Sequence, residues 1–255
     1  MKKISLAILA LTTSAVMAEQ VGKPAQGFYL GASAGLGSTQ GKSKLASVGH
    51  TATHEYNKDA KYSANGFMGG LIAGYNRQFN NFVLGLDIYG GLDTTKEDVM
   101  NTTNSGNAVP GGYYAKLNMK RKAYFGFAPR AGFMVTPSTL LYVKVGAEMG
   151  KWEYTITPDA AQIASFAGDA GEAANSSKVV SKNSNKISLA PGAGLEVYKG
   201  KMLFRIEYTY LRGPTLKATQ DISAWNTHGT LSGTSISHEM KITQHQIKAG
   251  IAYKF

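Results

Sequence analysis

Four carboxylates and four cations stand on the polar faces of alternating segments: Asp87, Glu148, Glu196 and Glu207 against Arg130, Lys144, Arg205 and Lys248. Neighbouring carboxylates can share a proton and act as general acid and base, whereas carboxylates that face cations form ion pairs. The two signs are evenly matched, so mutual pairing is the expected use, ahead of a polar path for solutes or a catalytic role. Other residues with chemical potential are less organised. Gly31, Gly35 and Gly37 form a GxxxGxG run, but a nucleotide-binding turn needs a helix N-terminus next, and the polar stretch STQGKSKLASVGH follows instead. His50, His54, His228 and His238 lie in long polar stretches near Ser232, Ser235, Ser237 and Asp221, at spacings that fix no nucleophile against a base. His50 and His54 have no acidic or supporting partner for a metal. We assign no catalytic residue, no metal and no cofactor, and expect no enzyme.

The elements that position the charges are eight segments of period-2 hydropathy, approximately 27–38, 65–79, 82–93, 117–135, 140–154, 187–198, 202–211 and 241–255. In the third, Phe82, Leu84, Leu86 and Ile88 share one face, while Gly85, Asp87 and Tyr89 share the other. In the fifth, Leu141, Val143, Val145, Ala147 and Met149 oppose Tyr142, Lys144, Gly146 and Glu148. A soluble sandwich alternates in the same way, so the connections must discriminate. Asn80–Asn81, residues 136–138 and Gly200–Lys201 are short links, whereas the other four run to roughly 25–30 residues, and the two kinds alternate. Tight turns on one side and long loops on the other predict an all-β, eight-stranded antiparallel transmembrane barrel, with three periplasmic turns and four extracellular loops.

Hairpin arithmetic supports the registers. A two-residue turn at Asn80–Asn81 opposes Phe79 to Phe82, Tyr75 to Leu86 and Ala73 to Ile88, all apolar pairs. A turn at Gly200–Lys201 opposes Val197 to Phe204 and Leu195 to Ile206 outside, and Glu196 to Arg205 inside. The narrow interior of such a barrel is filled by side chains, so the eight charges are expected to form an internal ion-pair plug.

Composition narrows the setting. Lys2 and Lys3, an apolar run over 4–11 and small residues ending at Ala18 predict a cleaved signal peptide over 1–18, which leaves a barrel domain over 19–255. The chain has no cysteine, and the rest of it has no apolar stretch long enough for a membrane helix. Its net charge of +11 would suit nucleic acid, but an exported chain without a long basic run points to anionic lipid or polysaccharide instead. Basic residues collect at the outer strand ends: Lys120, Arg121, Lys122, Lys151, Lys186, Arg212 and Lys241. They are candidate contacts to lipopolysaccharide phosphate. Phe79, Phe82, Phe133, Phe204, Tyr253 and Phe255 outline an aromatic girdle at the periplasmic rim, and Phe67, Trp152, Tyr154, Tyr208 and Tyr210 outline one at the outer rim. In the third long loop, Thr157 and Pro158 could start a short helix that places Ile163 and Phe166 over the mouth.

The GFYLGASAGLG, GLDIYGGL, PRAGFMVTPSTLLYVKVG and IKAGIAYKF stretches together resemble the small outer-membrane β-barrel family of the opacity adhesins and the barrel of outer membrane protein A. The resemblance implies a cell outer-membrane location and passage through export chaperones. It also implies a C-terminal signal for the barrel assembly machinery, carried by Ile247, Ala249, Ile251, Tyr253 and Phe255. Its functional range is structural or surface-interaction work, with loops contacting lipopolysaccharide, the environment or a host ligand. A small porin-like channel is the alternative, and a lipid- or peptide-modifying enzyme a more distant one.

Overall fold

A computed structural model of the chain describes residues 23–48, 53–54, 60–102, 114–158, 180–221 and 235–255. Ten strands form one antiparallel sheet: β1 (Gly27–Val48), β2 (Thr53–His54), β3 (Ala60–Phe79), β4 (Phe82–Asp93), β5 (Lys96–Thr102), β6 (Tyr114–Thr136), β7 (Thr139–Pro158), β8 (Val180–Lys199), β9 (Met202–Asp221) and β10 (Ser235–Lys254). β2 is a short return on β1. β4 and β5 are one stave broken at Thr94 and Thr95, since both pair with β6. The staves therefore number eight. β1 pairs with β10 from Tyr29↔Lys254 to Val48↔Ser235, which closes the sheet on itself and removes its free edges. The cleavable segment expected over 1–18 lies outside the described residues.

The predicted registers are those observed. Phe79 pairs with Phe82, Tyr75 with Leu86 and Ala73 with Ile88, and Glu196 pairs with Arg205 between Leu195↔Ile206 and Val197↔Phe204. The first residue of each two-residue turn takes a positive φ, 53° at Asn80 and 58° at Gly200, which Asn and Gly tolerate better than other residues. The fold is inverted relative to a soluble protein. Phe67, Leu71, Val143 and Ile187 are more than 60% exposed on the outside, whereas charged side chains are buried within. Such an apolar belt needs hydrocarbon around it.

The strands run further outward than the apolar alternation does. β1 continues through the polar stretch to Val48, with Lys42 in register with both Lys61 and Lys241. The long connections expected on that side fall on 49–52, 55–59, 103–113, 159–179 and 222–234, which lie outside the described residues. Polar side chains mark where a strand leaves hydrocarbon, but the backbone ladder continues in water wherever a neighbour can pair. The same extension corrects two local readings. Pro158 ends β7 opposite Ala115 and does not begin a helix, while Ile163 and Phe166 lie outside the described residues. His54 pairs with Ser47, and His238 with Leu45; His50 and His228 lie outside the described residues.

Candidate functional site

The lumen is built in layers that rise from the periplasmic turns. Ala25, Val83, Met134, Leu140, Leu203 and Ala252 form a buried apolar floor. It is fastened by the Ala25 N–H, which donates to Gln78 Oε1 at 3.1 Å.

Above the floor lies a ring of ion pairs. Arg205 donates to Glu196 Oε1 through Nε at 2.7 Å and to Asp87 Oδ2 through Nη1 at 2.8 Å. Arg130 binds Glu196 through Nη1, lies 3.3 Å from Asp87, and donates to Asn76 Oδ1 at 2.7 and 3.1 Å. Tyr29 donates to Asp87, and Tyr198 donates to Glu196 at 2.5 Å. Lys144 Nζ and the Tyr142 hydroxyl complete Glu207 at 2.6 and 2.8 Å. Both arginines also lie over the rings of Tyr29 and Tyr142, at 4.8–5.5 Å from the centroids. Glycine makes this possible locally, because a Cβ at Gly74 or Gly194 would run into the Tyr29 or Tyr142 ring. Buried charges are tolerable only when paired and hydrogen-bonded, and every buried polar side chain of this lower tier has a protein partner.

The upper tier is differently made. Arg121 binds Glu148 Oε1, Asp93 Oδ2 at 3.2 Å and Gln244 Oε1 at 2.5 Å. Gln244 donates to Asp93 at 3.1 Å, and Gln246 to Glu148 at 3.3 Å. Lys248 has no carboxylate within ion-pair distance among the described residues; its ammonium lies 5.1 and 5.0 Å from the ring centroids of Tyr89 and Tyr124. Ser38 Oγ, Thr39 Oγ1, the Tyr89 hydroxyl, Arg121 Nε, Glu148 Oε2, Trp152 Nε1, Ser188 Oγ and Gln246 Oε1 are buried without a hydrogen-bond partner among the described residues. Met119, Trp152, Leu211 and Ile242 are buried at this end.

All eight charges expected inside are inside and buried. Two outer-rim assignments are corrected. Arg121, expected to meet lipopolysaccharide, is 1% exposed and lumenal. A bulge between Arg121 and Ala123 inserts one residue and reverses the inward parity above it. Trp152, expected in the outer girdle, is likewise 1% exposed. β7 carries no bulge on its way up, so Trp152 keeps the lumenal parity of Lys144 and Glu148. The other rim cations stay outside the network. Lys120 is half-buried, Lys122 meets Glu153 at 2.7 Å, and Lys151, Arg212 and Lys241 are exposed. Lys186 is exposed but pairs with Gly150 on the lumenal parity, so it belongs to the mouth. Asp93, Gln244 and Gln246 were missed, although Gln244, Gln246 and Lys248 share one parity and could have been read together.

At the seam, Ile247, Ala249, Ile251, Tyr253 and Phe255 share the lipid face of the β10 segment. The Phe255 N–H donates to Phe28 O at 2.9 Å, and its ring meets Tyr253 edge-on at 5.3 Å. No curated protein sequence matches the chain. Among solved structures it resembles the outer membrane protein OprG from Pseudomonas aeruginosa, at 14% identity and a TM-score of 0.49 over 90% of this chain and 97% of that one. It also resembles the outer membrane protease OmpT from Escherichia coli, at 10% identity and 0.45 over 93% and 99%. A third is the attachment invasion locus protein of Yersinia pestis, at 13% and 0.33 over 87% and 99%. At such identities these likenesses say nothing of activity. The family described as the outer membrane protein beta-barrel domain matches residues 6–255, and the chain belongs to that family.

Proposed function

We propose that the protein is a closed, non-enzymatic barrel of the outer membrane whose work is structural or surface-interactive, done by its outward strand ends and connections against lipopolysaccharide, the environment or a host ligand. The observation that carries this reading is the lower tier. Asp87, Arg130, Glu196 and Arg205 come from four staves and meet across the lumen, above an apolar floor. Opening a path for ions there means separating dry charges from their partners. A small channel is the second reading, and what favours it is the upper tier, where polar atoms lack protein partners. Single-channel recording of the refolded protein in planar bilayers separates the two. Little or no steady conductance is expected, and large, stable currents would replace the closed barrel with the channel.

A further inference from the structure

The outer surface carries its cations in two unlike settings. On the β6–β7 side, the Lys122 ammonium is held by Glu153 at 2.7 Å. Higher on β9 and β10, Lys217 is similarly held by Glu239 at 3.3 Å. Arg212 of β9 and Lys241 of β10 are exposed, and among the described residues neither has an acidic partner. They sit directly above a polar group that is out of place on a lipid-facing wall. The Tyr208 hydroxyl lies 2.7 Å from His245 Nδ1, and the His245 ring is also in contact with the Tyr210 ring, centroids 5.2 Å apart.

The register brings these groups to one spot. His245 pairs with Tyr210, Thr243 with Arg212 and Lys241 with Thr215, while Ile247 pairs with Tyr208 and Leu189 with Arg212. Same-face neighbours along a strand stand about 7 Å apart, and adjacent strands about 5 Å apart. The imidazole, guanidinium and ammonium therefore span the width of one large headgroup. Leu189 beside Arg212 and Ile247 below His245 are 53% and 46% exposed and supply an apolar wall for acyl chains. In the tautomer where the phenol donates to Nδ1, the ring proton sits on Nε2 and is free for an anion. Arginine adds a planar fork that matches phosphate oxygens.

From this juxtaposition, and resting on the surface-interaction reading above, we propose that Arg212, Lys241 and His245, with Tyr208 holding the imidazole, form the site that binds a phosphate of an outer-leaflet glycolipid. The charge complementarity selects this occupant: unpaired cations at the aromatic girdle, directly over lipid-facing apolar residues, meet headgroup phosphate at that depth. Lys122 is less suited, because Glu153 already holds it.

The test uses the full barrel in nanodiscs of neutral lipid, titrated with purified lipid A carrying its phosphates and with the same lipid dephosphorylated. R212Q/K241Q is compared with K122Q/K151Q and with Y208F, and heat-modifiable gel migration confirms that each variant is folded. We expect R212Q/K241Q to bind the phosphorylated lipid roughly tenfold more weakly. Y208F should show a smaller loss, K122Q/K151Q should bind nearly as wild type, and no variant should differ on the dephosphorylated lipid. Unchanged binding by both R212Q/K241Q and Y208F overturns the site. A loss confined to K122Q/K151Q also overturns it, while leaving the surface-interaction reading intact. Wild-type binding that ignores the phosphates overturns the site together with the lipopolysaccharide part of that reading.

Discussion

The two halves of the lumen hold similar residues in different states. Near the periplasmic turns, Glu196 takes Arg130, Arg205 and Tyr198, and Asp87 takes Tyr29, Arg130 and Arg205, so both carboxylates are saturated by protein. Near the outer mouth, Glu148 is satisfied on one oxygen and bare on the other, and Arg121 leaves its Nε–H without a protein acceptor. Both halves are buried, so burial is not what separates them. The difference lies in the number of partners that reach each charge, and it assigns the two halves different roles. A saturated ring leaves no polar atom for water to complete, as the closed-barrel proposal requires, whereas an incompletely paired one is stable only if solvent completes it.

The largest expected effect comes from the sealed half. Replacing Arg205 with Ala leaves two buried carboxylates, Glu196 and Asp87, to share Arg130 as their one remaining ion-pair partner among the described residues. It should destabilise the barrel by about 3–5 kcal/mol, read as a shifted midpoint in denaturant unfolding from lipid vesicles. Replacing Arg121 with Ala removes the corresponding arginine of the outer half. Water can then solvate Glu148 and Asp93, so the loss should be about 1–2 kcal/mol in the same assay. Equal losses in the two variants would erase the distinction between the halves.

The parity of the sequence exposes the sealed half more fully than the outer one. Asn80–Asn81 and Gly200–Lys201 each fix a register by themselves, which is why Glu196 opposite Arg205 is legible from residue spacing alone. Arg121 cannot be placed this way, because a bulge within Lys120–Arg121–Lys122 has no distinct signature among three basic residues, yet it turns the middle one inward. Trp152 is legible, since an unbroken count along β7 from Lys144 leads to the lumen. The contacts between staves across the long connections are not. Arg130 meets Glu196 across 66 positions of sequence, and only the closed sheet brings them together. The outer strand extensions are hidden for a different reason, since hydropathy reports the membrane and not the ladder.

The smallest expected effect concerns Trp152. If solvent completes the outer half, Trp152→Phe removes one N–H that water already satisfies, and stability should change by less than about 1 kcal/mol. A gain larger than that would mean that the indole N–H is buried dry.

Water contact within the lumen tests the two-tier account most directly. Solid-state NMR of the lipid-embedded protein can follow magnetisation from water to side-chain N–H groups. Transfer should reach the Trp152 indole N–H and the Gln246 amide, and should not reach the Asn76 amide, which donates to Tyr198 at 3.3 Å within the ion-pair ring. Comparable transfer to Asn76 would show that the lower tier is wet and contradict the seal.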